Sequence, residues 1–194
     1  MITDINQLDL NKSYTYADYI TWQFTEMVEL IKGKIFKFDS TPKSVHQKVR
    51  GNLLGEIGIF LKRKTSLIFA APFDVRFVKS IDDKEISTVL QPDLCVICDS
   101  SKIDEAGCLG APDFIIEILS QSTKKKDLHN KFEVYEEFGV NEYWIVEPTS
   151  QIVDKFVLEN GKYAFKGKFT NGDKVAVHTL PSLEIDLDDI FFES

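Results

Sequence analysis

Residues 111–120 read APDFIIEILS, and one acid, Glu117, interrupts the apolar run from Phe114 to Leu119. An isoleucine-rich run of this length reads as a β-strand covered on both faces. An ionised carboxylate in such a strand is costly unless it is paired, hydrogen-bonded or bound to a metal. Glu117 therefore demands a partner from elsewhere in the chain.

Upstream, STVLQPDLCVICD (87–99) has the same character, with Asp93 of its QPDLCVICD portion set among apolar β-formers, and SLIFAAPFDVRFV (66–78) is a third strand candidate. Downstream, a helix is expected from Lys125 to Phe138, ended by Gly139, and EYWIVEP (142–148) is a further strand. Before the strands, Val45, Val49, Leu53, Ile57 and Leu61 recur every four residues and form the apolar stripe of one helix. The order helix, three strands, helix, strand predicts an α/β fold, with a core over about residues 44–148. Around it the sequence predicts an N-terminal helix (14–24), a β-hairpin turning at Lys32 and Gly33, and a C-terminal β-hairpin turning at Asn160 and Gly161. No repeat or Pro/Gly-rich linker divides residues 1–194, so one domain is expected.

With 43% hydrophobic and 28% charged residues the chain is suited to a packed core. No apolar run approaches the roughly 20 residues of a membrane span, and the N-terminal stretch has no signal-peptide character. Cys95, Cys98 and Cys108 are odd in number and cluster around one strand, which argues against a disulfide framework and fits the cytoplasm. Cys95 and Cys98 have C-x-x-C spacing, but on a strand such residues point to opposite faces, which favours two structural thiols over a zinc pair. His46, His129 and His178 are scattered, and neither a Walker loop nor G-x-G-x-x-G occurs.

The net charge of -8 opposes indiscriminate nucleic-acid binding, but it is unevenly spread. Residues 41–64 hold Lys43, Lys48, Arg50, Lys62, Arg63 and Lys64 against the single acid Glu56, whereas residues 182–194 hold five acids and no base. A local phosphate-binding face and an ordinary solvated helix surface both fit this pattern.

A Pro-Asp followed on a neighbouring strand by a central Glu, within this order of elements, resembles the PD-(D/E)XK nuclease core. More closely, residues 91–148 resemble the Uma2 family, described as restriction endonucleases. The likeness extends more weakly through VELIKGKIF (28–36), His46, GNLLGEI (51–57) and LPSLEIDLDDIF (180–191). The resemblance implies a restriction-endonuclease-like fold and a Mg²⁺- or Mn²⁺-dependent endodeoxyribonuclease acting on DNA. Asp93 and Glu117 would bind the metal, with the carbonyl of Ile118 as a further ligand. Where the superfamily pattern has a lysine two residues after the acid, this chain has Leu119. Lys131 instead matches a lysine on the following helix, in a run that includes Asp127 and Tyr135; the three are four residues apart and share a helix face. Glu29 and His46 match further family positions, and Glu56 is a weaker candidate.

Each position also has a purely structural reading. Asp93 can cap the turn after Pro92, Glu117 can pair with a structural lysine, and Lys131 can be a solvated helix residue. Glu29 can serve only as an ion-pair partner, and His46 only as packing. A homodimer would suit cleavage of both strands. The competing function is a non-catalytic nucleic-acid or protein interaction module that keeps the fold.

Overall fold

The computed structural model describes the chain apart from residues 1, 3, 25–26, 38–42, 80–84, 121–124 and 193–194. Its elements in chain order are α1 (Tyr16–Tyr19), β1 (Val28–Ile31), β2 (Lys34–Lys37), α2 (Ser44–Leu61), β3 (Leu67–Ala70), β4 (Val75–Arg76) and β5 (Val89–Leu90). There follow β6 (Leu94–Ile97), β7 (Ile103–Asp104), β8 (Gly107–Leu109), β9 (Phe114–Ile118), α3 (Lys125–Phe138) and β10 (Glu142–Glu147). The chain closes with β11 (Ile152–Glu159), β12 (Lys162–Thr170), β13 (Lys174–Ala176), β14 (Glu184–Asp186) and α4 (Leu187–Phe191). The expected mixed α/β architecture is present, with α2, β3, β6, β9, α3 and β10 in the expected order.

The large sheet runs β12-β11-β10-β9-β6-β3 and is antiparallel except between β9 and β10. Those two strands are parallel because α3 carries the chain back between them. Every residue of β9 is buried, as its apolar run requires. On one face, Val49, Leu53, Ile57 and Leu61 of α2 pack with Leu94, Phe114, Ile116 and Trp144. On the other, Val134 and Tyr135 of α3 pack with Cys95, Ile115 and Tyr143. The fold thus sandwiches β9 between α2 and α3, and alternation sends Glu117 to the α3 side.

Several local expectations change. Val45 is 44% exposed, and His46 takes its place on the buried stripe. A strict four-residue spacing overruns the helical repeat by about 40° per step, so a stripe drawn back from Leu61 drifts off the core by Val45. The N-terminal helix shrinks to the four residues of α1, held by a reciprocal cap between Thr15 and Asp18. Both hairpin turns stand where expected, with Lys32, Gly33, Asn160 and Gly161 all at positive φ.

The largest change concerns stretches 66–78 and 87–99, each of which supplies two short strands to two different sheets. β3 pairs with β6 in the large sheet, while β4 pairs with β5 in a second sheet ordered β2-β1-β5-β4-β8-β7. The crossings fall at Pro72 and Pro92, which have no N–H for a ladder. The seam between the sheets therefore passes directly beside Asp93.

Candidate active site

Four elements deliver charged side chains to this seam. Antiparallel register sets Leu94 against Ile116 and Cys95 against Ile115. Continued by one residue, it sets Asp93, immediately before β6, opposite Glu117, inside β9. The Asp93 carboxylate accepts the amide of Ile118 at 2.8 Å through Oδ2, and its Oδ1 lies 3.2 Å from Nε2 of His46 in the first turn of α2. It is therefore tied across the strands to the residue after Glu117.

Glu117 meets α3. Lys131 Nζ donates to Glu117 Oε1 at 2.9 Å, and the hydroxyl of Tyr135, one turn later, donates to the same oxygen at 2.6 Å. Lys131 also lies 2.9 Å from Oε1 of Glu29, which β1 brings from the second sheet. Glu29 Oε1 in turn accepts the backbone N–H of Gln91 at 2.8 Å. Glu29, Glu117, Lys131 and Tyr135 are all buried, so the two carboxylates and one ammonium interact with little screening.

The electrostatics follow from that burial. Burial pushes the Glu29 carboxyl up to about 7; Lys131 pulls it down and Glu117 pushes it further up. Glu117 is raised as well, first by burial and then by Asp93, against the opposing pull of Lys131. Burial alone would lower the Lys131 ammonium, but Glu117 and Glu29 more than offset this and hold it above its ordinary value. Burial also raises the Tyr135 phenol well above its usual range, so it remains a donor to Glu117.

The structure brings Asp93, Glu117, Lys131, Glu29, His46 and Tyr135 into one connected set. Lys131 is a buried ion-pair partner and not a solvated residue. Glu56 is exposed, ten residues further along α2 than His46 and so roughly 15 Å along its axis. Asp127 lies on α3, but its side chain is outside the described residues. Cys95 and Cys98 contribute to opposite faces of the large sheet.

Gln91 was not among the residues singled out from the sequence. Its backbone holds Glu29, and its side-chain amide donates to Asp74 at 2.7 Å and to Tyr19 at 3.2 Å, tying the seam to the second sheet. Its place immediately before Pro92 and Asp93 was the available signal.

The donor chemistry suits a hard cation. Among the described residues no group of three or more His, Cys, Asp or Glu converges as a metal cage. What the register brings to the seam is a carboxylate pair, Asp93 and Glu117. Mg²⁺ is commonly held in this way, through one or two carboxylates, with other positions left to water and substrate phosphate.

Comparison with known proteins agrees with this architecture. The fold is similar to the crystal structure of "a putative nuclease belonging to DUF820" from Anabaena variabilis, with a TM-score of 0.72 and 21% identity over 92% of this chain and 97% of that one. Curated proteins give no match. The sequence pattern of Uma2, described as "Putative restriction endonuclease", matches residues 16–188. That span runs from the start of α1 into α4 and takes in every element that supplies the seam, and the chain belongs to the Uma2 family.

Proposed function

We propose that this protein is a metal-dependent endonuclease that hydrolyses phosphodiester bonds of DNA. In this reading Asp93 and Glu117 hold a Mg²⁺ or Mn²⁺ ion, assisted by the carbonyl of Ile118. The observation that carries it is the bond from the Ile118 amide to Asp93, which ties that carboxylate to the residue after Glu117, with each carboxylate oriented by separate partners. Ile118 and His46 fix Asp93, while Lys131 and Tyr135 fix Glu117.

When bound, such an ion neutralises phosphate charge and lowers the pKa of an attacking water. The chain's own residues prepare for it. Lys131 and Tyr135 stabilise the ionised form of Glu117 in a setting whose burial opposes ionisation. Lys131 also supplies, from α3, the positive charge that the superfamily pattern places at position 119, and so counters charge building on the phosphate. Glu29 balances Lys131 from the other side and keeps its ammonium at the seam. The proposal includes a cytoplasmic homodimer, in which two-fold symmetry presents one site to each strand. Among the described residues no helix is long and apolar enough to cross a membrane.

The test is incubation of the purified protein with supercoiled DNA in Mg²⁺, in Mn²⁺ and in chelator. Nicked or linear product confined to the cation reactions supports the reading. Binding without cleavage under every cation condition overturns it in favour of an interaction module.

A further inference from the structure

Among the described residues the seam gathers three acids: Asp93 beside His46, and Glu117 and Glu29 on either side of Lys131. A DNA phosphate approaching Asp93 and Glu117 meets repulsion unless a cationic side chain stands at the entrance. Six basic residues of 41–64 are the sequence's candidates; Lys43 stands at the N-cap of α2, and the structure separates the other five. Lys48 donates to the backbone oxygen of Phe192 at 2.5 Å and lies over that ring, 4.3 Å from its centroid, so it faces the C-terminal segment. Lys62, Arg63 and Lys64 follow the far end of α2, roughly 22 Å along the axis from His46. Lys64 packs over the ring of Phe60.

Arg50 is different. It lies one turn beyond His46, on the same side of α2. Its Nη1 donates to the carbonyl oxygen of Ala71 at 3.3 Å, and the N–H of Ala71 donates to the backbone oxygen of Asp93 at 3.2 Å. Its Nη2 donates to Oε1 of Gln47 at 2.5 Å. Arg50 is half-buried, and its guanidinium is oriented from two sides and joined through one residue to the backbone of Asp93. A guanidinium has five N–H donors in a planar fork, so these two bonds leave donors for another oxygen ligand.

We propose that Arg50 grips a phosphate of the DNA backbone beside Asp93; this rests on the nuclease reading above. The grip is electrostatic and independent of base sequence, so its signature is salt dependence. Arg50 is a binding residue for the strand, one turn of α2 beyond His46, which meets the Asp93 carboxylate.

The experiment measures equilibrium binding of a short DNA duplex in chelator, by fluorescence anisotropy over a series of salt concentrations. Arg50→Gln removes the charge yet keeps an amide that can serve Ala71, and Arg50→Lys keeps the charge without the fork. Lys48→Ala is the comparison, and thermal melting establishes that each variant is folded. The expected result for Arg50→Gln is severalfold weaker binding and a log–log salt slope smaller by about 1, the value of one phosphate contact. Arg50→Lys retains the parental slope, as does Lys48→Ala. Parental affinity and slope in Arg50→Gln, or salt-insensitive binding by the parent, overturns the proposal. Because no cleavage occurs in chelator, the two ideas fail separately. A protein that binds through Arg50 and never cuts sinks only the nuclease reading, and one that cuts with parental salt dependence after Arg50→Gln sinks only the Arg50 grip.

Discussion

The ammonium of Lys131 stands 2.9 Å from Oε1 of Glu117, with both side chains buried on the α3 side of the large sheet. Glu29 closes the arrangement at the same distance from Lys131. Breaking a buried ion pair by deleting one member costs more than the pair contributes, because the other charge is left without compensation. Lys131→Ala is therefore expected to lose about 3–5 kcal/mol of stability. Adding Glu29→Gln to Lys131→Ala replaces a carboxyl that has lost its partner and should recover part of that loss. Urea denaturation of the single and double variants checks this, and additive losses would contradict it.

The raised Glu29 carboxyl has a consequence for pH. Folded, the group holds its proton up to about 7, whereas an ordinary glutamate releases it near 4.5. Across that window the folded chain binds more protons than the unfolded one, so this group's contribution to stability falls as pH rises. Lys131 has the same sense in a higher window: its contribution is complete below its ordinary value of 10.5 and is lost only above it. Glu29→Gln should flatten the dependence of unfolding free energy on pH between about 4.5 and 7. An unchanged slope would show that Glu29 does not hold the proton.

The thiols give a simpler check on the sheet. Cys95 and Cys108 are fully buried, whereas Cys98 on the opposite face from Cys95 is only half-buried. In the native protein Cys98 is expected to react first with an aromatic disulfide reagent, and the other two only on unfolding. Cys98→Ser should abolish the early phase. Early reaction of Cys95 would contradict the burial of β6.

The core was legible because its signals are local. The apolar run of β9, the four-residue spacing along α2, and the Asn160–Gly161 turn each state their structure within a few residues. Asp93 and Glu117 were conspicuous because burial makes an acid in an apolar strand hard to explain otherwise. The splitting of 66–78 and 87–99 between two sheets was not legible, because strands as short as β4 and β5 carry no period of their own. Only Pro72 and Pro92 marked the crossings. The place of Glu29 depends on β1 pairing with β5, a non-local contact to which its own hairpin gives no clue. The exchange of Val45 for His46 is geometric: a repeat of four approximates 3.6 over one turn and fails over four.

The Asp93–Glu117 site is tested most directly by Glu117→Gln. The substitution is nearly isosteric and leaves Lys131 paired with Glu29, so the fold is expected to survive. Cleavage of supercoiled DNA in Mg²⁺ or Mn²⁺ should fall by about 10²-fold or more relative to the parent, with DNA binding in chelator maintained. Parental cleavage by folded Glu117→Gln protein would contradict the assignment.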